Sequence, residues 1–191
     1  MNAPSLKPWT PEQFLAWVET QEEAYEFDGF RPVAMGDGTW NHDQITANLR
    51  VSLQPRLRGT ACRAGGPNAG VATIGNKIRY PDAVVTCARF PGDSRLTPGV
   101  AIVFEVLSPS SGGTDRVAKL REYQAVASIR RYVILEYASV GLTVFEKRDD
   151  GAWSATALTG EDTIRLPEAG LEIPVAEFYE DVEFPAPDVP E

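Results

Sequence analysis

Apolar residues recur at helical spacing in three stretches of the chain. Ile45, Leu49, Leu53 and Leu57 follow one another every four residues, which predicts a helix from His42 to about Arg58 that Pro55 kinks or ends early. Two further helices are predicted: one starts at a capping box of Thr10 and Gln13 and runs to about Glu22, and one spans about Thr114–Val126.

Strand patterns fill the chain between these helices. The most apolar run, Val100–Leu107, is typical of a strand buried on both faces. Shorter strands are predicted at Tyr25–Phe30, Arg31–Met35, Val71–Ile74, Ile78–Tyr80, Asp82–Cys87, Arg131–Glu136 and Leu142–Lys147. Three more form a small C-terminal β appendage, before a last helical turn: Trp153–Leu158, Thr163–Leu166, Leu171–Ile173 and the turn Val175–Tyr179. The predicted class is α/β (α+β), one mixed sheet flanked by helices.

Length and composition set the domain organisation. The 191 residues suit a single domain at 1–180 followed by an acidic, Pro-rich tail at 181–191. The apolar runs are too short to span a membrane, and the N-terminus lacks a secretory pattern, so we expect a cytoplasmic protein. For the same reason we expect Cys62 and Cys87 to be reduced thiols.

The charge is unevenly distributed. The net charge of −9 argues against nucleic-acid binding, because phosphate contacts need cations. Residues 50–131, however, carry thirteen bases and five acids, whereas both ends of the chain are acidic. A basic centre can receive a phosphodiester, and ordinary solvated charge explains the same count equally well.

Two acids stand at strand positions where a charge is informative. Glu105 interrupts the apolar run, and a buried carboxylate must be neutralised, paired with an arginine or bound to a metal; it can also simply lie at a strand end. Asp82 follows Pro81 at the start of another predicted strand. Neighbouring strands would bring both carboxylates to one cation, and Mg²⁺ needs only a few carboxylates because it keeps several waters.

Lys119 lies on the helix that follows the strand of Glu105. Its ammonium could hold the attacking water or stabilise charge that develops on a phosphate. The other interpretation is a surface pair with Asp115, one helical turn away, and the spacing does not decide between the two.

These residues form a recognisable series. Glu26, His42, Pro81-Asp82, the segment Glu105–Ser110 and then Asp115, Lys119 and Tyr123 resemble a bacterial family of uncharacterised proteins classed as restriction endonucleases within the PD-(D/E)XK nuclease superfamily. The resemblance runs from about Thr10 to Phe178. It implies a restriction-endonuclease-like fold, Mg²⁺ or Mn²⁺ bound by Asp82 and Glu105, and a lysine that assists phosphodiester hydrolysis, here Lys119.

One position departs from the superfamily pattern. The usual lysine lies two residues after the glutamate, where this chain has Leu107, so Lys119 would have to replace it. Glu26 matches an early acid that some members use as an extra ligand, although a solvated acid near a turn is the plainer interpretation. His42 is predicted to cap its helix or line the cleft near Glu26; a triad with Ser108 or Ser110 is disfavoured, because no nucleophile elbow surrounds them.

Two functions from different classes follow. The first is a Mg²⁺- or Mn²⁺-dependent endonuclease that cuts DNA, with RNA not excluded, through Asp82, Glu105 and Lys119. The second is a catalytically silent binding or assembly module that keeps the nuclease fold, which Leu107 and the net charge favour. Cutting both strands of DNA needs two active sites, so a homodimer is expected, with the β appendage near Trp153 as a candidate interface.

Overall fold

The computed structural model describes residues 7–36, 38–108 and 113–184, with backbone only for 113–115. Three α-helices are present in these ranges: α1 Pro11–Val18, α2 Trp40–Leu57 and α3 Gly113–Ala125. The strands are β1 Tyr25–Phe27, β2 Pro32–Ala34, β3 Arg63–Gly65, β4 Val71–Ala72, β5 Ile78–Arg79, β6 Ala83–Thr86, β7 Val100–Val106, β8 Arg131–Leu135, β9 Leu142–Lys147, β10 Trp153–Leu158, β11 Thr163–Leu166 and β12 Leu171–Pro174. Short 3₁₀ turns lie at Ile74–Asn76 and Val175–Tyr179.

The main sheet has six strands and lies between two helices. Its order is β10-β9-β8-β7-β6-β3; β7 and β8 are parallel and the other pairs are antiparallel. Alternate residues of β7 point to opposite faces, as the two-residue period of a strand requires. Phe104 packs on the face covered by α2, whereas Val103 packs on the face covered by α3. The prediction of a mixed sheet flanked by helices is confirmed.

The helices begin and end for local reasons. Thr10 and Gln13 form the capping box that the sequence predicts for α1. Helix α2 begins at Trp40, earlier than predicted, because Thr39 is its N-cap and accepts a hydrogen bond from the His42 backbone N–H. The prediction that His42 caps this helix is therefore wrong. Pro55 lies inside the last turn of α2 and does not end the helix early.

A second sheet packs beside the first. Its order is β2-β1-β5-β4, with all neighbours antiparallel. Helix α1 covers this sheet: Phe14 packs against Phe27 of β1 and Ile78 of β5, and all three are buried. Strand β5 leads directly through Tyr80 and Pro81 into β6 of the main sheet. The cleft described below therefore opens where the two sheets meet.

The C-terminal region differs from the prediction. Strand β10 is the edge of the main sheet rather than part of an appendage, because all six of its residues pair with β9. The appendage is thus only the β11–β12 hairpin, whose Ile164 and Ile173 pack into the core on the α2 side. In the predicted tail, Val182 and Phe184 pack against the same core, and residues 185–191 lie outside the described residues.

The cysteines also differ from the prediction. Cys62 and Cys87 form a disulfide, with Cα atoms 3.9 Å apart. They flank β3 and β6, whose register pairs Arg63 with Thr86, so the next residue on each strand lies opposite the other. The expectation of reduced thiols is therefore wrong. The pairing was missed because β3 has no apolar pattern that predicts a strand beside β6.

None of the described helices is both long enough and apolar enough to cross a membrane.

Candidate functional site

Asp82 and Glu105 face each other across two neighbouring strands. Ala83 pairs with Phe104 in the antiparallel ladder of β6 and β7, so Asp82 and Glu105 occupy the next position outward. Pro81 precedes the strand and leaves Asp82 at its entrance, where Asp82 Oδ2 accepts a hydrogen bond of 2.7 Å from the Val106 N–H. Both side chains line one cleft. The sequence predicted this meeting of the two acids.

Glu105 contacts two side chains of α3 in the cleft. Its side chain is 13% exposed, its Oε1 accepts a 2.9 Å hydrogen bond from the Tyr123 hydroxyl, and both its oxygens lie 3.3 Å from Lys119 Nζ. Burial raises the pKa of Glu105 to about 7; Lys119 opposes this shift, while Asp82 and Glu26 add to it. The partners of Glu105 are a lysine and a tyrosine, not the arginine that was one alternative.

Lys119 lies in the cleft rather than on a solvated helix face. Its side chain is 14% exposed, and its Nζ lies 3.3 Å from Glu26 Oε1 as well as from the Glu105 carboxylate. The surface interpretation of Lys119 is therefore wrong. The side chain of Asp115, which would have been its surface partner, lies outside the described residues.

Glu26 belongs to a buried ionic network. Its Oε2 accepts a 2.7 Å hydrogen bond from Arg79 Nη1, and its Oε1 accepts one of 3.3 Å from the Tyr80 N–H. Arg79 also donates twice to Glu122, which in turn receives the ammonium of Lys77 at 2.6 Å. Burial alone would raise the pKa of Glu122, but the hydrogen bonds from Arg79 and Lys77 hold that pKa below its ordinary value. The interpretation of Glu26 as a solvated acid is wrong.

His42 reaches the cleft from the first turn of α2. Its Nε2 lies 3.3 Å from Asp82 Oδ1, and the hydrogen bond with Asp82 raises the pKa of His42 against the opposing effect of burial. The histidine therefore lines the cleft, as one of its two interpretations predicted. Ser108 lines the same cleft, and Ser110 lies outside the described residues.

The cleft has a volume of about 310 Å³ and gathers most of the predicted site. The predicted residues that line it are Glu26, His42, Asp82, Glu105 and Lys119. Tyr123 is fully buried and donates a hydrogen bond to Glu105 in the cleft. Residues 33–36 also line the cleft and add an apolar surface.

The donor set suits a hard cation that keeps water ligands. Within the described ranges, no three or more His, Cys, Asp or Glu side chains are grouped so that they could hold a metal ion. The Asp82 and Glu105 carboxylates nevertheless form a like-charged pair whose repulsion contributes to the raised pKa of Glu105, and a bound cation would relieve that repulsion. Because Mg²⁺ commonly takes one or two carboxylates and several waters, these residues fit Mg²⁺ or Mn²⁺.

Sequence reasoning missed Arg79 and Glu122. They lie 43 residues apart, on β5 and α3, and no local spacing connects them. One signal was available: Arg79 stands inside a predicted strand, and an arginine buried in a sheet needs an acidic partner.

Comparisons with known proteins agree with this architecture. The model of the Uma2 family, described as "Putative restriction endonuclease", matches residues 11–176. The uncharacterized protein slr1290 of Synechocystis sp. is 32% identical over 180 residues, covering 92% of this chain and 93% of that protein. The uncharacterized protein sll1609 of the same organism is 23% identical over 167 residues, covering 85% and 94%.

A solved structure shares the fold. The crystal structure of a "putative nuclease belonging to DUF820" from Anabaena variabilis superposes with a TM-score of 0.72 at 15% identity, covering 90% of this chain and 98% of that one. At this identity the likeness shows that the two chains share a fold and nothing finer. With the family model matching most of its length, the chain belongs to the Uma2 family of restriction endonuclease-like proteins.

Proposed function

We propose that this protein is a Mg²⁺- or Mn²⁺-dependent endonuclease that hydrolyses phosphodiester bonds of DNA. The observation that carries the proposal is the cross-strand pair of Asp82 and Glu105 with the Lys119 ammonium 3.3 Å from both Glu105 oxygens. Two acids and one amine in a cleft are the groups that metal-assisted phosphodiester hydrolysis uses. The family description supports the same class of activity.

Asp82 and Glu105 would hold the ion. Each accepts protein hydrogen bonds that fix its orientation: Asp82 from Val106 N–H, and Glu105 from the Tyr123 hydroxyl. His42 adds a contact to the other Asp82 oxygen, which places an outer-shell partner beside the carboxylate. When bound, the ion supplies electrophilic activation of the scissile phosphate and of the attacking water.

Lys119 would act on the substrate. Its ammonium, held between Glu26 and Glu105, can donate a hydrogen bond to the attacking water or to a phosphate oxygen as negative charge develops there. It reaches Glu105 from α3, so it can replace the lysine that is missing at Leu107. The buried Tyr123 excludes water from the inner side of Glu105.

A plasmid assay tests the proposal. Purified protein with Mn²⁺ should nick or linearise supercoiled DNA, and Glu105→Ala should lose at least about a thousandfold in rate, because both metal binding and charge neutralisation depend on this carboxylate. Glu172→Ala, which removes an exposed acid paired with Arg165 on the β11–β12 hairpin, is the matched control and should cleave at the wild-type rate. Equal cleavage by the wild type and Glu105→Ala would remove Glu105 from the reaction.

Calorimetry separates the enzyme from a silent module. The enzyme requires binding of Mg²⁺ or Mn²⁺ at millimolar concentrations or below, with loss of binding in Asp82→Asn. A protein that binds neither ion and cuts neither DNA nor RNA would instead be the nuclease-fold binding module.

A further inference from the structure

Arg79 connects β1 with α3 through the carboxylates of Glu26 and Glu122. Its Nε and Nη2 donate to the two oxygens of Glu122 at 2.7 and 2.9 Å, and its Nη1 donates to Glu26 Oε2 at 2.7 Å. All three side chains are at most 9% exposed. The planar guanidinium holds both carboxylates in fixed directions, which the ammonium of a lysine would not do.

Glu122 and Lys119 lie on the same face of α3. They are three residues apart, and side chains at this spacing are neighbours on a helix surface. The bidentate contact of Glu122 with Arg79 therefore fixes this face of α3 against β5. Lys119, one turn earlier, is thereby directed towards Glu105.

Arg79 also determines which oxygen of Glu26 meets the lysine. Because Arg79 and Glu26 Oε2 are paired, Oε1 is the oxygen that lies 3.3 Å from Lys119 Nζ. One guanidinium thus orients the helix that carries Lys119 and the carboxylate that contacts it. We call the Arg79–Glu122 pair the clamp.

Stability alone gives a poor reason for the clamp. A buried ion pair is often no more stabilising than well-packed apolar side chains of similar volume. Its geometry offers another role: Arg79 fixes Glu26, whose Oε1 contacts Lys119 Nζ, and Glu122, which shares a face of α3 with Lys119.

The geometry points to Arg79 and Glu122 as positioning residues that hold the Lys119 ammonium between Glu26 and Glu105. The catalytic meaning of that placement rests on the proposed function, whereas the placement itself can be measured without catalysis. The clamp acts through Lys119 and touches neither substrate nor metal.

The test removes both charges of the clamp together. The double variant Arg79→Met with Glu122→Met removes both charges without changing the net charge, and Glu26 keeps its contacts with Lys119 and the Tyr80 N–H. Its matched control is Arg131→Met with Glu168→Met, which removes a somewhat more exposed pair, 2.8 Å apart, that involves β8 of the main sheet. Thermal unfolding of both establishes that each variant is folded.

The first measurement is amine labelling of the metal-free protein, read by peptide mass spectrometry. Lys7 and Lys147 serve as internal references among the four lysines. We expect labelling of Lys119 to rise at least about fivefold in the clamp variant and to stay within twofold of wild type in the control. Labelling of Lys119 that does not change in the clamp variant overturns the proposal, whether or not the protein cleaves DNA.

The second measurement is a double-mutant cycle on cleavage. The clamp variant should lower kcat about 10- to 100-fold with KM within threefold, because a misplacement of about 1 Å in a catalytic group has effects of this size. In a Lys119→Met background the same change should lower kcat less than twofold further. An equal loss in both backgrounds would show that the clamp acts independently of Lys119 and would contradict the proposal.

A milder variant keeps the test decisive if the double variant does not fold. Glu122→Gln retains the shape and one acceptor but loses the charge that binds Arg79. It should raise Lys119 labelling and lower kcat in the same direction by smaller factors. Glu122→Gln with wild-type labelling and wild-type kcat would contradict the proposal.

A wild type that cleaves no nucleic acid would end the proposed function alone, and the labelling result would still decide whether the clamp positions Lys119.

Discussion

Two cross-strand pairs in the main sheet differ in the signs of their charges. One joins a base with an acid, and the other joins two acids. On β8 and β9, Arg131 pairs with Glu146, and Arg131 also contacts Glu168 at 2.8 Å. Between β6 and β7, two acids, Asp82 and Glu105, stand opposite instead. Opposite charges across strands stabilise a sheet by a few tenths to one kcal/mol, whereas like charges destabilise it.

The difference extends to the surroundings of each pair. Glu146 is 43% exposed, so water solvates its charge, whereas Glu105 is 13% exposed and has a pKa raised to about 7. The opposite charges of the first pair neutralise each other within the fold. The second leaves negative charge that an external cation can neutralise, and this contrast separates a structural ion pair from a candidate binding site.

After the loss expected for Glu105→Ala, the next largest effect concerns the amine beside the acidic pair. Lys119→Met should lower kcat for DNA cleavage by about 10²- to 10³-fold, because a preorganised charge near the developing phosphate charge is lost. Manganese affinity, measured by calorimetry, should change little. Lys147→Met on β9 is the control and should leave kcat unchanged; a Lys119→Met enzyme of normal kcat would exclude the lysine from the reaction.

The second prediction concerns stability. Removing the charge of Glu105 and removing that of Glu146 should change the free energy of unfolding in opposite directions. The folded-state pKa of Glu105 lies above its ordinary value, so its contribution to stability is complete below about pH 4.5 and is lost as pH rises through about 7. In the metal-free protein at pH 8, Glu105→Gln should therefore raise the free energy of unfolding, by about 3 kcal/mol. Glu146→Gln should lower it slightly, since Arg131 loses a partner.

Urea unfolding at pH 5 and pH 8 in the presence of a chelator measures this difference. The advantage of Glu105→Gln over wild type should grow between the two pH values. A Glu105→Gln protein that is less stable than wild type at pH 8, with the same pH dependence, would show that Glu105 is well stabilised without a metal.

A smaller effect is expected at His42. Removing its contact with Asp82 should weaken binding of Mn²⁺ about 10-fold, as is typical when an outer-shell partner is lost. His42→Ala is compared with wild type by calorimetry at pH 8. Unchanged affinity would mean that Asp82 needs no help from the histidine.

The smallest effect belongs to an exposed ion pair. Arg165 and Glu172 lie opposite each other on β11 and β12, with side chains 79% and 65% exposed. Glu172→Gln should change the free energy of unfolding by less than about 0.5 kcal/mol, because solvent screens such a pair. Chemical denaturation measures it, and a loss above 1 kcal/mol would show that exposure alone does not rank the ion pairs of this protein.

The sequence predicted those parts of the fold whose signals are local. The four-residue spacing in α2, the capping box of α1 and the apolar run of β7 each depend on neighbouring residues, and all three are present. Strand β3, Arg63-Ala64-Gly65, has no β-branched or aromatic residue, and pairing with β6 imposes its conformation. The disulfide was missed for the same reason.

The candidate site divides in the same way. Asp82 after a proline, Glu105 in an apolar strand and Lys119 on the following helix are each unusual in their own segment, so a sequence can indicate them. The clamp between Arg79 and Glu122 arises only when α3 packs on β5, and no spacing along the chain encodes that contact.

A crystal soaked in Mn²⁺ tests the central claim most directly. We predict an anomalous peak between the Asp82 and Glu105 carboxylates, within about 2.0–2.3 Å of an oxygen of each, and no peak at the Arg131–Glu146 pair. No anomalous peak at the acidic pair, in a crystal with both carboxylates ionised, would contradict it.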